Sequence, residues 1–246
     1  MSQATQISQK KQRKHLSFRW ETELCSSFLA TAEPHIWSRQ GSGNWLIIEE
    51  SNCSDGRADQ VWARLETGWK CEVLIENAAL LMNPTISRIL AALRRKRCLA
   101  EDELKATVGV SLAVLRKVLR DLIMADLVVS LAKNLYKLAK HVTFPKMEIC
   151  AFEMKLDNWK RALYQSTRYR GFSHRVFVVM PGEALKSIAQ NKDQFEKMGI
   201  GLMTHGTDGD TKVVVRPSKR DPRSSYQSLM ALGMLLSRGS QLSFAD

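Results

Sequence analysis

Asp59, Glu153 and Lys155 have the side-chain types that metal-dependent hydrolysis of a phosphodiester requires. Glu153 and Lys155 are two residues apart at the end of an apolar stretch, so on a β-strand both side chains point to the same face. A carboxylate there can share a hard divalent cation with a second carboxylate, for which Asp59 is the obvious candidate. The ammonium group of Lys155 can position or activate the attacking water and offset phosphate charge.

A second polar group follows this pair along the chain. Gln165 and Tyr169 are one helical turn apart and share a helix face with Arg161 and Arg168, which could meet a substrate phosphate. Each of these signals is weak alone, because an E-x-K sequence is usually a surface ion pair and Gln165 with Tyr169 could be a polar helix face. Their order along the chain and the elements that carry them favour a shared site.

The pattern of apolar residues predicts the elements that position these residues. A helix is expected from Phe18 to about Ala32, because its apolar residues recur at helical spacing until Pro34. The six tryptophans are expected mainly in the core. The other predicted elements are strands at 45–48 and 57–66, a turn at 67–68 leading into 69–75, a strand at 147–155, a helix at 158–170 capped by Asp157, a strand at 175–180, a helix at 183–197, strands at 200–203 and 213–216, and a helix at 225–236. Alternating strands and helices predict an α/β fold with a mixed sheet flanked by helices.

Residues 83–141 have a different texture. Pro84 opens a helix, a short helix follows at 101–107, and Ser111 caps a third helix with leucines along one side. A hairpin at 127–138 completes a pattern typical of a winged helix-turn-helix, a DNA-binding motif that can also serve in protein docking. Its leucine stripes are expected to pack mostly against one another. The candidate DNA contacts are Arg116, Lys117, Arg120, Lys133 and Lys137.

Gly56-Arg57-Ala58-Asp59, Glu153-Met154-Lys155 and Gln165…Tyr169 together resemble the pattern of the PD-(D/E)xK nuclease superfamily, specifically its RecB-like branch. The resemblance covers residues 18–76 and 142–204, and it implies a restriction-endonuclease-like core. It further implies a magnesium or manganese ion held by Asp59, Glu153 and the backbone carbonyl of Met154. Lys155 would orient the water, while Gln165 and Tyr169 would support the site and the DNA backbone. Family members often add a glutamate from the first helix, for which Glu21 and Glu23 are both candidates.

This sequence departs from the family pattern in two ways. The stretch between Asp59 and Glu153 is far longer than a hairpin, and an inserted winged helix accounts for the excess. No proline stands directly before Asp59, so Asp55 remains an alternative ligand. The expected organisation is a basic tail at 1–16, a nuclease-like core at 17–82 and 142–246, and the insertion at 83–141.

The overall charge favours a polyanionic partner. The 246 residues include 37 Lys and Arg against 25 Asp and Glu, a net charge of +12, yet residues 20–82 hold ten acidic and four basic residues. We expect a cytoplasmic enzyme, because no apolar run reaches membrane-spanning length and five scattered cysteines fit a reducing compartment. Its expected partner is double-stranded DNA, while any preference for a DNA sequence or structure stays open. A non-catalytic DNA-binding protein, an RNA-acting enzyme and a homodimer stay open.

Overall fold

The computed structural model describes residues 17–33, 43–53, 56–131, 134–184 and 188–244. Its helices and strands, numbered here in chain order, are α1 (Glu21–Thr31), β1 (Gly43–Cys53), β2 (Gly56–Leu65), α2 (Glu72–Glu76), α3 (Pro84–Arg95), β3 (Leu99–Ala100), α4 (Glu101–Val108), α5 (Leu112–Met124), β4 (Val128–Leu131), β5 (Leu135–Leu138), β6 (Met147–Met154), α6 (Trp159–Arg168), β7 (Arg175–Pro181), α7 (Lys192–Met198), β8 (Gly201–His205), β9 (Thr211–Val215), α8 (Ser225–Arg238) and β10 (Ser240–Phe244). Short 3₁₀ helices occur at Ala78–Met82, Tyr169–Gly171, Gly182–Ala184 and Ala189–Asn191.

Seven of the described strands form one mixed sheet in the order β10-β1-β2-β6-β7-β8-β9. The pairs β10–β1, β1–β2, β2–β6 and β8–β9 are antiparallel, whereas β6, β7 and β8 run parallel to one another. The prediction of an α/β fold with a mixed sheet flanked by helices is therefore confirmed at this level. Strands β2 and β6 are neighbours at the centre, which brings the predicted site residues of both strands to one end of the sheet.

The sheet is covered on both faces. On one face α1 packs against aromatic residues of the central strands, and this core includes Phe28, Trp62 and Phe152. On the other face the core includes Val61, Ile149 and residues of α6, α7 and α8. Burial on both faces explains why β6 and β7 are almost continuously apolar. The rigid central strands therefore end in a fixed position between two helical layers.

The segment between β2 and β6 forms α2 to α5 and a three-stranded sheet in the order β3-β5-β4. Asn83 begins α3 by accepting a hydrogen bond from Thr85 N at 2.9 Å, and Ser111 caps α5. The leucines of these helices do pack together, but their core also contains Leu229 and Leu232 from α8. The boundaries at 83 and 141 stay a prediction, and the hydrophobic core crosses them.

Several predicted elements differ from the observed ones. Residues 69–71 have no regular structure and 72–76 form α2, in which Leu74 is buried three residues after the buried Cys71, as one helical turn requires. Asn158, rather than Asp157, caps α6 by accepting from Arg161 N at 3.1 Å. The helix expected at 183–197 is reduced to 3₁₀ turns and α7, with 185–187 outside the described residues. Strand β10 was not predicted, because its short polar sequence becomes a strand only by pairing with β1.

The tryptophans also divide differently from the expectation. Trp45 and Trp62 are fully buried, whereas Trp20 is 68% exposed. Within the described ranges, no helix has both the length and the apolar character needed to cross a membrane.

Candidate functional site

The ends of β2 and β6 bring Asp59 and Glu153 together. Both residues lie one position beyond the Gln60–Phe152 pair of the antiparallel register. The Oδ2 atom of Asp59 accepts a hydrogen bond from the Met154 backbone N–H at 2.6 Å, across 95 residues of sequence. Burial raises the pKa of Asp59, although the Met154 N–H and the charge of Lys155 act in the opposite direction. Two carboxylates that repel each other are thus held at one strand end.

Glu153 is the more deeply buried of the two carboxylates, with 1% of the residue exposed. Its Oε2 atom contacts the hydroxyl of Tyr169, and the oxygen of that hydroxyl is also 2.7 Å from the carbonyl oxygen of Arg57. Burial raises the pKa of Glu153 to about 7, helped by the charge of Asp59 and opposed by Tyr169 and Lys155. Tyr169 therefore fixes the orientation of Glu153.

Lys155 lies between the buried carboxylate and the first helix. Its Nζ atom is 2.7 Å from Oε2 of Glu21 and 3.6 Å from Oε1 of Glu153. Burial lowers the pKa of Lys155, but these carboxylates outweigh it and leave the pKa above its ordinary value, so the amine stays charged. The alternative glutamate, Glu23, instead accepts from Arg19 N at 2.7 Å and caps α1. The structure thus places Glu21, and not Glu23, at the site.

Helix α1 is fastened to the sheet by contacts that the sequence did not reveal. Gln60 Nε2 donates to the Cys25 carbonyl at 2.9 Å. On the other side of the helix, the fully buried His205 is 2.9 Å from the hydroxyl of Ser27 and 2.6 Å from that of Thr211. These contacts hold Glu21 in reach of Lys155. They were missed because His205 precedes a turn in the sequence and lies far from α1 along the chain.

Gly56 is needed where β2 begins. Its φ of +153° is one that side-chain-bearing residues rarely adopt, and Arg168 and Tyr169 lie against it, with Arg168 Cδ 3.7 Å from the place of a Cβ. The guanidinium of Arg168 lies over the ring of Tyr164, 5.1 Å from its centre, and Arg161 is exposed on the same helix. The backbone conformation, rather than a lack of room, therefore favours glycine here, because a Cβ would make only ordinary van der Waals contact with Arg168 and Tyr169.

Gln165 lies on α6 one turn before Tyr169 and is half-buried. Its Oε1 atom is buried and accepts no hydrogen bond from any residue that the structure describes. A buried amide oxygen without a donor is costly, so this atom is suited to receive a donor from outside the chain.

The basic residues predicted to contact DNA from the segment between β2 and β6 differ in their pairing and exposure. Arg116 makes a two-point salt bridge with Glu101, at 2.8 and 2.9 Å, and is not a free cation. Lys117 and Arg120 are exposed on α5, and Lys137 is half-buried on β5. Two other candidates, Lys133 and the alternative ligand Asp55, lie outside the described residues.

Asp59 and Glu153 are side-chain oxygen donors at the adjoining ends of the central strands β2 and β6. In the described ranges, no three His, Cys, Asp or Glu side chains group closely enough to hold a metal ion. Magnesium, however, is commonly bound through one or two carboxylates with water completing its shell. Asp59 and Glu153, with raised pKa values at one strand end, and the adjacent carbonyl of Met154 fit that requirement.

Comparisons with known proteins identify no relative. No family model, no curated protein and no solved structure matches this chain. The interpretation of the site therefore depends on its geometry.

Proposed function

We propose that this chain is a divalent-metal-dependent nuclease that hydrolyses DNA phosphodiester bonds. In this proposal the sheet and its helices are a restriction-endonuclease-like core, and the segment between β2 and β6 is an inserted winged helix. One observation carries the proposal: Asp59, far from Glu153 and Lys155 in the sequence, meets them at the ends of two central strands. Metal-assisted attack of water on a phosphodiester needs carboxylates that hold the metal ion, and a nearby ammonium group can orient the water.

Asp59 and Glu153 would hold Mg²⁺ or Mn²⁺ together with the backbone carbonyl of Met154. The cation, when bound, supplies Lewis-acid stabilisation of the phosphate charge and lowers the pKa of water. The chain itself supplies the orientation, because Met154 N–H fixes Asp59 and the Tyr169 hydroxyl fixes Glu153. A cation would also relieve the repulsion between the two carboxylates, which favours its binding.

Lys155 is the group proposed to orient the attacking water. Its side chain is 15% exposed, so one side is open to a water molecule while Glu21 and Glu153 hold the other. Because its pKa is raised, the amine acts as a fixed positive charge and a hydrogen-bond donor at neutral pH. Glu21 is then a positioning residue for Lys155.

Basic side chains on both sides of the site would hold the DNA. Arg161 and Arg168 lie on α6, and Lys117, Arg120 and Lys137 belong to the proposed winged helix. Such contacts bind phosphates without reading sequence. Duplex DNA is the proposed partner of α5, whose exposed basic face is suited to a groove.

The test is nicking of supercoiled plasmid by the purified full chain with Mg²⁺ or Mn²⁺, with and without excess chelator. Cleavage that the chelator abolishes, and that Lys155→Ala loses, supports the proposal. Lys219→Ala is the matched control, because it removes a lysine at the opposite end of β6. Tight DNA binding without cleavage under any divalent cation would instead favour a non-catalytic DNA-binding protein.

A further inference from the structure

Two basic segments, far apart in the sequence, carry much of the positive charge of the chain. Residues 94–97, at the end of α3, read Arg-Arg-Lys-Arg, and residues 216–223, between β9 and α8, hold three arginines and one lysine against a single aspartate. All eight basic residues are exposed. The two lysines form ion pairs, since Lys96 is 3.2 Å from Glu103 and Lys219 is 3.4 Å from Glu148. We call the six arginines of these segments the arginine surface: Arg94, Arg95, Arg97, Arg216, Arg220 and Arg223.

Contacts from α3 join the two segments into one surface. The Nη2 atom of Arg95 donates to the hydroxyl of Ser225 at 2.9 Å, and Ser225 follows Arg223 by two residues. The guanidinium of Arg94 lies over the ring of Phe144, 5.3 Å from its centre, in the chain that leads into β6. The arginine surface therefore spans residues on both sides of β6 in the sequence, and it exists only while α3 packs beside the start of α8.

The arginine surface lies at the opposite end of the sheet from the candidate cation site. Lys219, in its second segment, contacts Glu148 near the start of β6, whereas Glu153 lies five residues further along that strand. Five residues of an extended strand span about 17 Å. A phosphate bound by these arginines is therefore a different phosphate from one beside Asp59 and Glu153.

A buried arginine holds the second segment in place. Arg170 is 5% exposed, and its guanidinium donates to the carbonyls of His174 at 3.1 Å and Ser218 at 3.0 Å. Backbone bonds fasten the same loop, from Arg220 N to His174 O at 3.1 Å and from Arg223 N to Arg170 O at 3.0 Å. Burial and the nearby charges of Arg220 and Arg223 lower the pKa of Arg170 to about 10. Like charges are thus held close together on a fixed loop, and a bound anion would relieve their repulsion.

The side-chain types of this surface favour a sugar–phosphate backbone as its partner. Arginine offers a planar pair of N–H donors that match two phosphate oxygens. In these two segments, both of which the structure describes, no large apolar side chain is exposed. The centres of protein interfaces are enriched in aromatic residues and methionine, and membrane-surface helices insert apolar residues into the lipid. Duplex DNA needs only charge from its partner, and it carries one negative charge per about 1.7 Å of its length.

We propose that the arginine surface binds the phosphates of duplex DNA at a place separate from the candidate cation site. It would anchor one stretch of a duplex while another stretch reaches the strand ends of β2 and β6. Binding there requires neither a divalent cation nor Asp59 and Glu153. The proposal therefore goes beyond the proposed nuclease activity and can be tested without it.

The test is fluorescence anisotropy of a labelled duplex oligonucleotide with the full chain, in chelator and at several salt concentrations. If each arginine contacts one phosphate, Arg95→Ala and Arg220→Ala should each flatten the dependence of log affinity on log salt by about 0.9, which is about an eightfold loss of affinity at about 0.1 M salt. The double variant should flatten it by about 1.8. Arg220→Lys keeps the charge and should keep the wild-type slope. Lys197→Ala removes an exposed cation on α7 and is the matched control, which should bind as the wild type does.

Circular dichroism should show the same fold in all of these variants, because the substituted side chains are exposed. Wild-type affinity and slope in the double variant would overturn the proposal. So would an equal loss in Lys197→Ala, which would indicate an effect of total charge alone. Vesicles of phosphatidylserine are the second probe, and their loss from the double variant with unchanged duplex binding would assign the surface to a membrane instead. Duplex binding that depends on these arginines supports the proposal even if no DNA is cleaved, in which case only the proposed nuclease activity fails.

Discussion

Glu148 and Glu153 lie on the same strand, five residues apart, and both are buried, yet their surroundings differ. Glu148 accepts from Arg175 Nε at 2.7 Å and is 3.4 Å from Lys219 Nζ. Burial raises its pKa, but these two cations outweigh burial and leave the pKa below its usual value. Glu153 lies beside another carboxylate, Asp59, and its pKa is raised to about 7. We call the Glu148 end of β6 the satisfied end, because two cations neutralise its carboxylate. We call the Glu153 end the unsatisfied end, because a second carboxylate lies beside it.

Under the proposed function, the difference separates a carboxylate that stabilises the fold from one that would bind the cation. Glu148 connects β6 to β7 and to the chain before α8, so its two cations stabilise the fold. At the other end the acidic side chains Glu21, Asp59 and Glu153 lie around the amine of Lys155, and the charge of Arg57 also acts on Asp59. An arrangement with unbalanced carboxylates costs stability and is expected where a cation is to bind.

The largest expected effect is on activity at the unsatisfied end. Glu153→Gln keeps the shape of the side chain but removes a proposed cation ligand, so cleavage should fall by at least about 10³-fold, equivalent to about 4 kcal/mol. The measurement is the initial rate of plasmid nicking with Mn²⁺. Circular dichroism should show an unchanged fold. A rate within tenfold of the wild type would show that Glu153 is not a ligand.

A purely apolar change sets the scale for structural effects. Leu232 on α8 is fully buried in the core that it shares with α3 to α5. Leu232→Ala should lower the free energy of unfolding by about 3 kcal/mol through the cavity that it leaves. Urea denaturation followed at two wavelengths measures this. Separate transitions for the two parts of the chain, with only one shifted, would contradict a shared core.

The satisfied end of β6 should show the reverse pattern to Glu153. Glu148→Gln leaves Arg175 without its charged partner and should lower the free energy of unfolding by about 2 kcal/mol at pH 7. The rate of cleavage should stay within threefold of the wild type. A loss of activity without a loss of stability would place Glu148 in the reactive group and remove the distinction between the two ends.

The two carboxylates should also respond to pH in opposite directions. The pKa of Glu148 is lowered from 4.5, so its stabilisation is present above that value and is lost as the pH falls below it. The pKa of Glu153 is raised from 4.5 to about 7, so its stabilisation is present at low pH and is lost as the pH rises through that range. Melting temperatures in chelator between pH 3 and 8 check both signs. Each glutamine variant should remove only its own part of the profile.

The smallest effect concerns two arginines of α5, one in an ion pair and one exposed. Arg116 is engaged by Glu101, whereas Arg120 is exposed. If Arg120 contacts one phosphate, Arg120→Ala should flatten the dependence of log affinity on log salt by about 0.9. Arg116→Ala should flatten it less. Fluorescence anisotropy with a duplex oligonucleotide at several salt concentrations measures both slopes, and equal slopes in all three proteins would indicate that α5 does not face DNA.

The sequence predicted those features of the candidate site that depend on local periodicity. Glu153 and Lys155 follow from the alternation of a strand, and Tyr169 from the resemblance in its motif spacing. Contacts between distant segments could not be predicted from the sequence, because periodicity carries no information on which elements meet. The Glu148 cluster joins residues 27 and 71 positions apart, and Ser27 meets His205 across 178 positions. The exposure of Trp20 was likewise missed, since its residue type alone favours the core.

The central claim is that Asp59 and Glu153 jointly bind one divalent cation. Its most direct test is titration of the full chain with Mn²⁺ by isothermal calorimetry, for the wild type, Asp59→Asn and Glu148→Gln. We predict one site in the wild type and in Glu148→Gln, and an affinity at least about tenfold lower in Asp59→Asn. Binding of Mn²⁺ by Asp59→Asn with wild-type affinity and stoichiometry would contradict the account.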